Sequence, residues 1–269
     1  MSEALPKLVA TDLDGTLVRT DGTVSRRTHE VLDRLRANGV VLVGATGRGP
    51  RLINLTRRDL GPSDYLVLAQ GGFCYDMTGD EPALLYSETM PGAALARAVA
   101  LVEAAAGPVQ LTVEALAEPD APLWRDPGFV WPYPEPTEER PRAHSLRTPV
   151  IKAFLRSPTL DLDELLAICR EVVPPKLCEA SSPGGMVELA PPGCTKATGL
   201  QYVADALGIG PGDVLVFGDM PNDVPMFQWA GRSVAVAAAH PEVLAVADAV
   251  TSGNDDDGVA VYLERLLET

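Results

Sequence analysis

Three short apolar runs in this chain each lead to a polar residue of a kind that binds ligands. Residues 8–10 (Leu-Val-Ala) lead to Asp12, residues 40–45 to Thr46, and residues 214–217 to Asp219. Runs of this length, without strict alternation, predict strands buried on both faces of a sheet. A helix signal separates the first two. Ser25 can start it, Val31, Leu32 and Leu35 form its apolar stripe, and Gly39 sits where it should stop. Pro50 suits the first turn of a second helix running to about Leu60, and residues 65–69 predict a third strand. Strand, helix, strand, helix, strand implies a parallel sheet with helices on its faces. Residues 73–76 and 84–86 flank Thr78-Gly79-Asp80, which predicts a small hairpin.

The middle of the chain reads differently. Residues 92–106 are an alanine-rich helix and residues 109–113 a strand. A stretch with eight prolines, from Pro119 to Pro149, encloses Trp124, Phe129, Trp131 and Tyr133. Proline removes backbone donors and opposes regular helix there. Residues 150–155 read as strand. Residues 161–173 read as a helix opened by Asp161, with Glu164 placed for a capping box. Short strands are expected near Leu177 and at residues 187–189. From Thr195 the alternation returns: helix 195–207 ending at Gly208, strand 214–217, helix 222–230, strand 233–237 and helix 240–247, with residues 258–267 closing the chain. The expected organisation is an α/β fold with a discontinuous core, residues 1–82 and 191–269, interrupted by an insert at residues 83–190.

Composition narrows the partners. A formal net charge of −15 disfavours broad binding to nucleic acid or an anionic membrane. An anionic substrate then needs a local positive centre. The four cysteines, Cys74, Cys169, Cys178 and Cys194, form no C-x-x-C pair. No apolar run approaches the length of a membrane span and the first residues do not read as a signal peptide, so a cytoplasmic location is expected.

Ligands of open parallel sheets bind beyond the carboxyl ends of the strands. Asp12 and Asp14 fall there, with Gly15 allowing a sharp turn; read alone, the segment is equally a polar strand end. Thr46-Gly47-Arg48 closes the second strand. Its hydroxyl can hold a phosphate oxygen, and Arg48 can bind phosphate or pin neighbouring carboxylates. Asp219 and Asp223 bring two more carboxylates to the same edge, although Asn222 or Asp223 also suits a helix cap. Lys196, taken alone, reads as a solvated lysine at a helix start.

Together, VATDLDGTL, GATGR, the Lys196 helix, GDMPND, HPEV at residues 240–243 and NDDDGVA at residues 254–260 resemble the motifs of the haloacid dehalogenase superfamily, most closely its Cof-type phosphatases of subfamily IIB. The resemblance implies a Rossmann-like core with an α/β cap, and a phosphatase for small phosphorylated metabolites such as sugar phosphates. Asp12 would be the nucleophile and Asp14 the general acid and base. Thr46 and Lys196 would hold the phosphoryl oxygens, with Gly47, Arg48 and Asn222 as further substrate contacts. Asp12, the Asp14 carbonyl, Asp219 and Asp223 would bind Mg2+. The cap sheet would face the phosphate edge and choose the leaving group, and Trp124 or Trp131 are candidates to face substrate. A phosphomutase or phosphotransferase using the same intermediate, and a ligand-binding protein without catalysis, are the alternatives. Gln70, where the family carries asparagine, and Ala237-Ala238-Ala239 ahead of His240 depart from the pattern. No motif speaks to oligomeric state.

Overall fold

The computed structural model describes residues 4–174, 178–182 and 185–268 and divides into two compact units. In chain order, the first unit opens with β1 (Leu8–Thr11), α1 (Arg26–Ala37), β2 (Val41–Ala45), α2 (Ile53–Leu60), β3 (Tyr65–Leu68), β4 (Phe73–Asp76) and β5 (Ala83–Ser87). The second unit follows with α3 (Gly92–Ala106), β6 (Gln110–Glu114), β7 (Leu123–Arg125), β8 (Thr137–Glu139), α4 (Arg142–Ser145), β9 (Lys152–Arg156), α5 (Leu162–Val172), β10 (Cys178–Ser182) and β11 (Met186–Leu189). The chain returns to the first unit through α6 (Lys196–Leu207), β12 (Val214–Gly218), α7 (Val224–Trp229), β13 (Arg232–Ala235), α8 (Pro241–Leu244), β14 (Ala249–Val250) and α9 (Gly258–Leu267).

The first unit is built on a sheet ordered β14-β13-β12-β1-β2-β3-β4-β5. Pairing is parallel from β14 to β3 and antiparallel for β4 and β5. β1 lies between β12 and β2, with Thr11 opposite both Phe217 and Gly44. That register brings Asp12, Thr46 and Asp219 to one sheet edge. Leu8, Ala10, Val43, Val67, Val214 and Val216 pack with Leu200 and Val203 of α6. Val9, Leu42 and Leu215 are equally buried, so the central strands are covered on both faces, as their continuous apolar character predicts. The hairpin strand β5 pairs with β4 in this sheet, and the first unit runs on to Ser87.

In the second unit the sheet order is β10-β11-β9-β6-β7-β8, antiparallel except between β7 and β8. Leu95, Val99 and Val102 of α3 and Leu165 and Cys169 of α5 pack on Leu111, Val113, Leu155, Val187 and Leu189. Alternation sends Thr112, Glu114, Lys152, Phe154, Met186 and Glu188 to the opposite face. The residues Gly49–Leu52 group with this unit.

Three expectations shift. The segment from Pro50 is a tight turn, Pro50–Leu52, ahead of α2. There the Leu52 N–H bonds back to the Gly49 carbonyl at 2.9 Å, and the first-turn Arg51 N–H, which has no helical carbonyl, meets the Glu114 carboxylate at 3.3 Å. Likewise Pro221–Asp223 is a turn ahead of α7, because the Asp223 side chain takes the N–H groups of Asp219 and Met220. The proline-rich stretch supplies β7, β8 and α4, and Pro141 stands at the α4 cap, where a missing N–H costs nothing. Leu177 lies outside the described residues; β10 begins just after it. Among the described residues, no helix is long and apolar enough to cross a membrane.

Candidate active site

Asp12 leaves β1 with its N–H bonded to the Phe217 carbonyl at 3.0 Å, so backbone pairing with β12 fixes where its carboxylate emerges. Lys196 reaches the same point from the first turn of α6. Thr195 caps that helix in a reciprocal pair with Thr198. The Lys196 ammonium donates to Asp12 Oδ1 at 2.5 Å and to Asp223 Oδ1 at 2.6 Å. Its side chain is 1% exposed, so it is not the solvated lysine of the isolated reading. Gly71 makes this approach possible. It has φ +95°, and a Cβ there would sit 2.0 Å from the Thr195 carbonyl oxygen.

Asp219 and Asp223 frame the other side. Asp223 Oδ2 accepts from the N–H groups of Asp219 and Met220 at 2.9 and 3.0 Å. The Thr16 hydroxyl donates to Asp219 Oδ1 at 2.7 Å. Gly15, at φ +87°, turns the chain against Asp219: a Cβ there would lie 2.5 Å from Asp219 Oδ2. Oxygen atoms of Asp12, Asp219 and Asp223 all lie within 4.8 Å of one another. The cluster contains only carboxylates, and a buried set of hard oxygen donors fits a cation such as Mg2+.

The charges are strongly coupled. Burial lifts Asp12 well above the ordinary carboxylate range. The Lys196 ammonium opposes that rise, while Asp223 and Asp219 add to it. Asp219 is raised by its own burial, with the Thr16 hydrogen bond pulling back. For Lys196, burial acts to lower the value, but Asp12 and Asp223 outweigh it and hold the amine above its usual range. The surrounding carboxylates therefore favour the cationic form of Lys196.

Asp14 stands apart from the cluster, with its carboxyl group 59% exposed. Arg48 Nε and Nη2 grip it at 2.8 and 2.5 Å, and Arg48 Nη1 is anchored on buried Asp59 at 2.7 Å. The Thr46 hydroxyl accepts from the Arg48 N–H at 3.1 Å. Asn222 Nδ2 donates to Gln70 Oε1 at 3.1 Å, and the same Gln70 amide lies against Gly47. Gln70 has left-handed backbone, φ 57°. Sequence reasoning did not single out Thr16, Asp59 or the Gln70 contact. Thr16 was within reach, being part of the first motif. Asp59 is an ordinary helix residue whose partner is known only in three dimensions.

In the second unit, Trp124 packs in the helix-side core, while Trp131 is edge-on to Phe154 on the opposite face at 5.2 Å. Of these two tryptophans, Trp131 is the one on that opposite face.

A parallel sheet that gathers carboxylates and a buried lysine at the carboxyl ends of its central strands is suited to hold a cation together with an anionic ligand. The profile of the haloacid dehalogenase-like hydrolases matches residues 9–263. The chain belongs to that family and is a phosphoric monoester hydrolase. Among its relatives, the 5-amino-6-(5-phospho-D-ribitylamino)uracil phosphatase YitU of Bacillus subtilis is 24% identical, covering 98% of both chains. A phosphoglycolate phosphatase of Halorubrum lacusprofundi is 30% identical, covering 96% of each. The structure of SMU.1108c from Streptococcus mutans superposes with a TM-score of 0.82 at 18% identity, over 98% of this chain and 100% of that one.

Proposed function

We propose that this phosphatase is Mg2+-dependent and hydrolyses small phosphorylated metabolites, sugar or polyol phosphates among them, through a phosphoryl group carried on Asp12. The observation that supports this best is the placement of the Asp12 carboxylate against the Lys196 ammonium and beside Asp219 and Asp223. Asp12, Asp219 and the Asp14 backbone carbonyl would hold the cation. Asp223 Oδ2 accepts two hydrogen bonds and Oδ1 one, so Asp223 would ligate directly through Oδ1 or act through water. The bound cation supplies neutralisation of the repulsion between a carboxylate and a phosphate dianion.

In this reading the free Asp12 oxygen attacks phosphorus and the bond to the leaving oxygen breaks. Asp14 gives that oxygen its proton. Water then attacks the phosphoryl group, Asp14 takes the water proton, and the Asp12 carboxylate leaves intact with inorganic phosphate released. Lys196 and the Thr46 hydroxyl hold the phosphoryl oxygens, with Arg48, Asn222 and the Gly47 turn completing the cradle. The insert selects the leaving group. The names of the relatives fit a small organic monoester.

Phosphate release from acetyl phosphate and p-nitrophenyl phosphate with Mg2+ tests the reading. Asp12→Asn should stay folded and lose nearly all turnover. Turnover within about tenfold of wild type, roughly 1.4 kcal/mol in barrier, would remove Asp12 from the nucleophile's role.

A further inference from the structure

Where β3 ends, three successive residues take left-handed backbone. Ala69, Gln70 and Gly71 have φ of +50°, +57° and +95°. Gly71 makes room for Thr195, but Ala69 and Gln70 carry side chains that disfavour this conformation. Backbone bonds keep them in it. The Ala69 N–H donates to the Arg48 carbonyl at 2.8 Å, and the Gln70 N–H to the Thr46 carbonyl at 3.3 Å. Strain held in this way collects at functional sites.

What the conformation delivers is the Gln70 side chain. Gln70 is buried, and its Oε1 accepts from Asn222 Nδ2 at 3.1 Å. Its amide lies over Gly47, where a Cβ would come 2.8 Å from Gln70 Nε2. Gly47 does not have a positive φ, so it is the space above it that calls for glycine. In the sheet, β1 and β2 stand between β12 and β3. The Gln70–Asn222 bond therefore ties the turn after β3 to the turn after β12, with the Asp12 strand between them. Asp223 braces the base of the second turn through the N–H groups of Asp219 and Met220, and Gln70 holds the Asn222 side chain. Asparagine fits left-handed backbone better than glutamine does. Its side chain is one methylene shorter, however, and would leave Asn222 beyond hydrogen-bond range.

An asparagine amide is planar and has two N–H donors. Fixing one of them on Gln70 sets the direction of the other. We infer that Gln70 is a positioning residue, which orients the Asn222 amide so that its second N–H meets a phosphoryl oxygen. This rests on the phosphatase reading, in which Asn222 contacts the phosphate.

Two substitutions separate reach from backbone fit. Gln70→Met keeps the length and removes the acceptor; Gln70→Asn keeps the amide, eases the backbone and loses the reach. In both, kcat/KM for p-nitrophenyl phosphate with Mg2+ should fall about tenfold, the worth of a hydrogen bond to a charged oxygen. Calorimetry should show inorganic phosphate binding weakened in both. The Tm of Gln70→Asn should nevertheless equal or exceed that of Gln70→Met. Gly47→Ala, which pushes the Gln70 amide aside, should act alike and serves if a Gln70 variant fails to fold. Adding Gln70→Met to Asn222→Ala should cause little further loss, because the first residue acts through the second. Activity that follows Tm, higher in Gln70→Asn than in Gln70→Met, would reduce Gln70 to a structural tie and overturn the inference. So would losses that multiply in full in the double variant. Wild-type turnover and phosphate binding in folded Gln70 variants would overturn it too, and leave the phosphatase reading standing. Phosphate binding that depends on Gln70, in a protein that hydrolyses no ester, would keep the inference and defeat that reading.

Discussion

Arg48 holds Asp14 through two parallel hydrogen bonds while its third nitrogen is anchored on Asp59. A guanidinium can satisfy this geometry and an ammonium cannot. The grip keeps an exposed carboxyl group in one orientation. Arg48→Lys should therefore behave as a weaker form of Asp14→Asn. Both should slow alkyl phosphate esters about tenfold or more relative to p-nitrophenyl phosphate, whose leaving group needs little help from a proton. Equal slowing of the two ester classes would leave Arg48 only its contact with the phosphate and remove its role in holding Asp14.

Lys196 carries two carboxylates in the interior, so its loss should damage folding as well as catalysis. Lys196→Met removes the cation and leaves Asp12 and Asp223 facing each other. Breaking such a buried pair costs about 3–5 kcal/mol. Urea unfolding of metal-free protein should show a loss of that order, and Mg2+ should recover part of it. A midpoint unchanged from wild type would mean that the carboxylates simply take up protons.

Protons and metal should compete at Asp12 and Asp219. Burial raises both carboxyl groups, so the folded protein holds their protons more tightly than the unfolded chain does. Their contribution to stability is then present at low pH and lost as pH rises through the folded values. A bound cation needs the carboxylate form. The rise in Tm on adding Mg2+ should accordingly grow between about pH 5 and pH 8; an equal or shrinking rise would contradict a site built on these carboxylates. Calcium, which often takes a carboxylate through both oxygens, should bind here yet inhibit, with excess Mg2+ restoring the rate. Turnover with calcium alone matching that with Mg2+ would contradict Asp12 as both ligand and nucleophile.

Gly71 and Gly22 offer a matched comparison. Both have positive φ, +95° and +79°, but a Cβ at Gly71 strikes the Thr195 carbonyl and one at Gly22 meets nothing within 4 Å. Gly22→Ala should cost about 1 kcal/mol from backbone strain alone. Gly71→Ala should cost about 2 kcal/mol or more and also lower kcat, because the start of α6 and with it Lys196 must move. Similar losses at both positions, with activity intact, would detach Gly71 from the placement of Lys196.

Much of this was legible in the chain. The central strands are apolar throughout, and helices such as α5 and α6 announce their starts with Asp161 and Thr195 and their stops through residues such as Gly208. The strand ends at Asp12, Thr46 and Asp219 followed from the same runs. What escaped was pairing set by distant contacts. Nothing local says that Asp59 will meet Arg48, or that the Arg51 N–H will turn to Glu114. The short strands β7 and β8 were hidden because prolines and charges mask their pattern, and their pairing rests on neighbours remote in sequence. Glu114, Lys152 and Glu188 look like the polar side of ordinary alternating strands until their burial is seen.

Thr16 bonds to Asp219 across 203 residues of sequence, and β1 is closed on one side by β12. On the ribosome, then, Asp12 and its strand emerge well before the residues that complete them. A nascent chain can pair β1 with β2 early, yet its other edge stays open until β12 has been made, a sticky intermediate of the kind that holdase chaperones shield. Any chain truncated before β12 carries Asp12 without Asp219 and Asp223 and so lacks the carboxylate cluster.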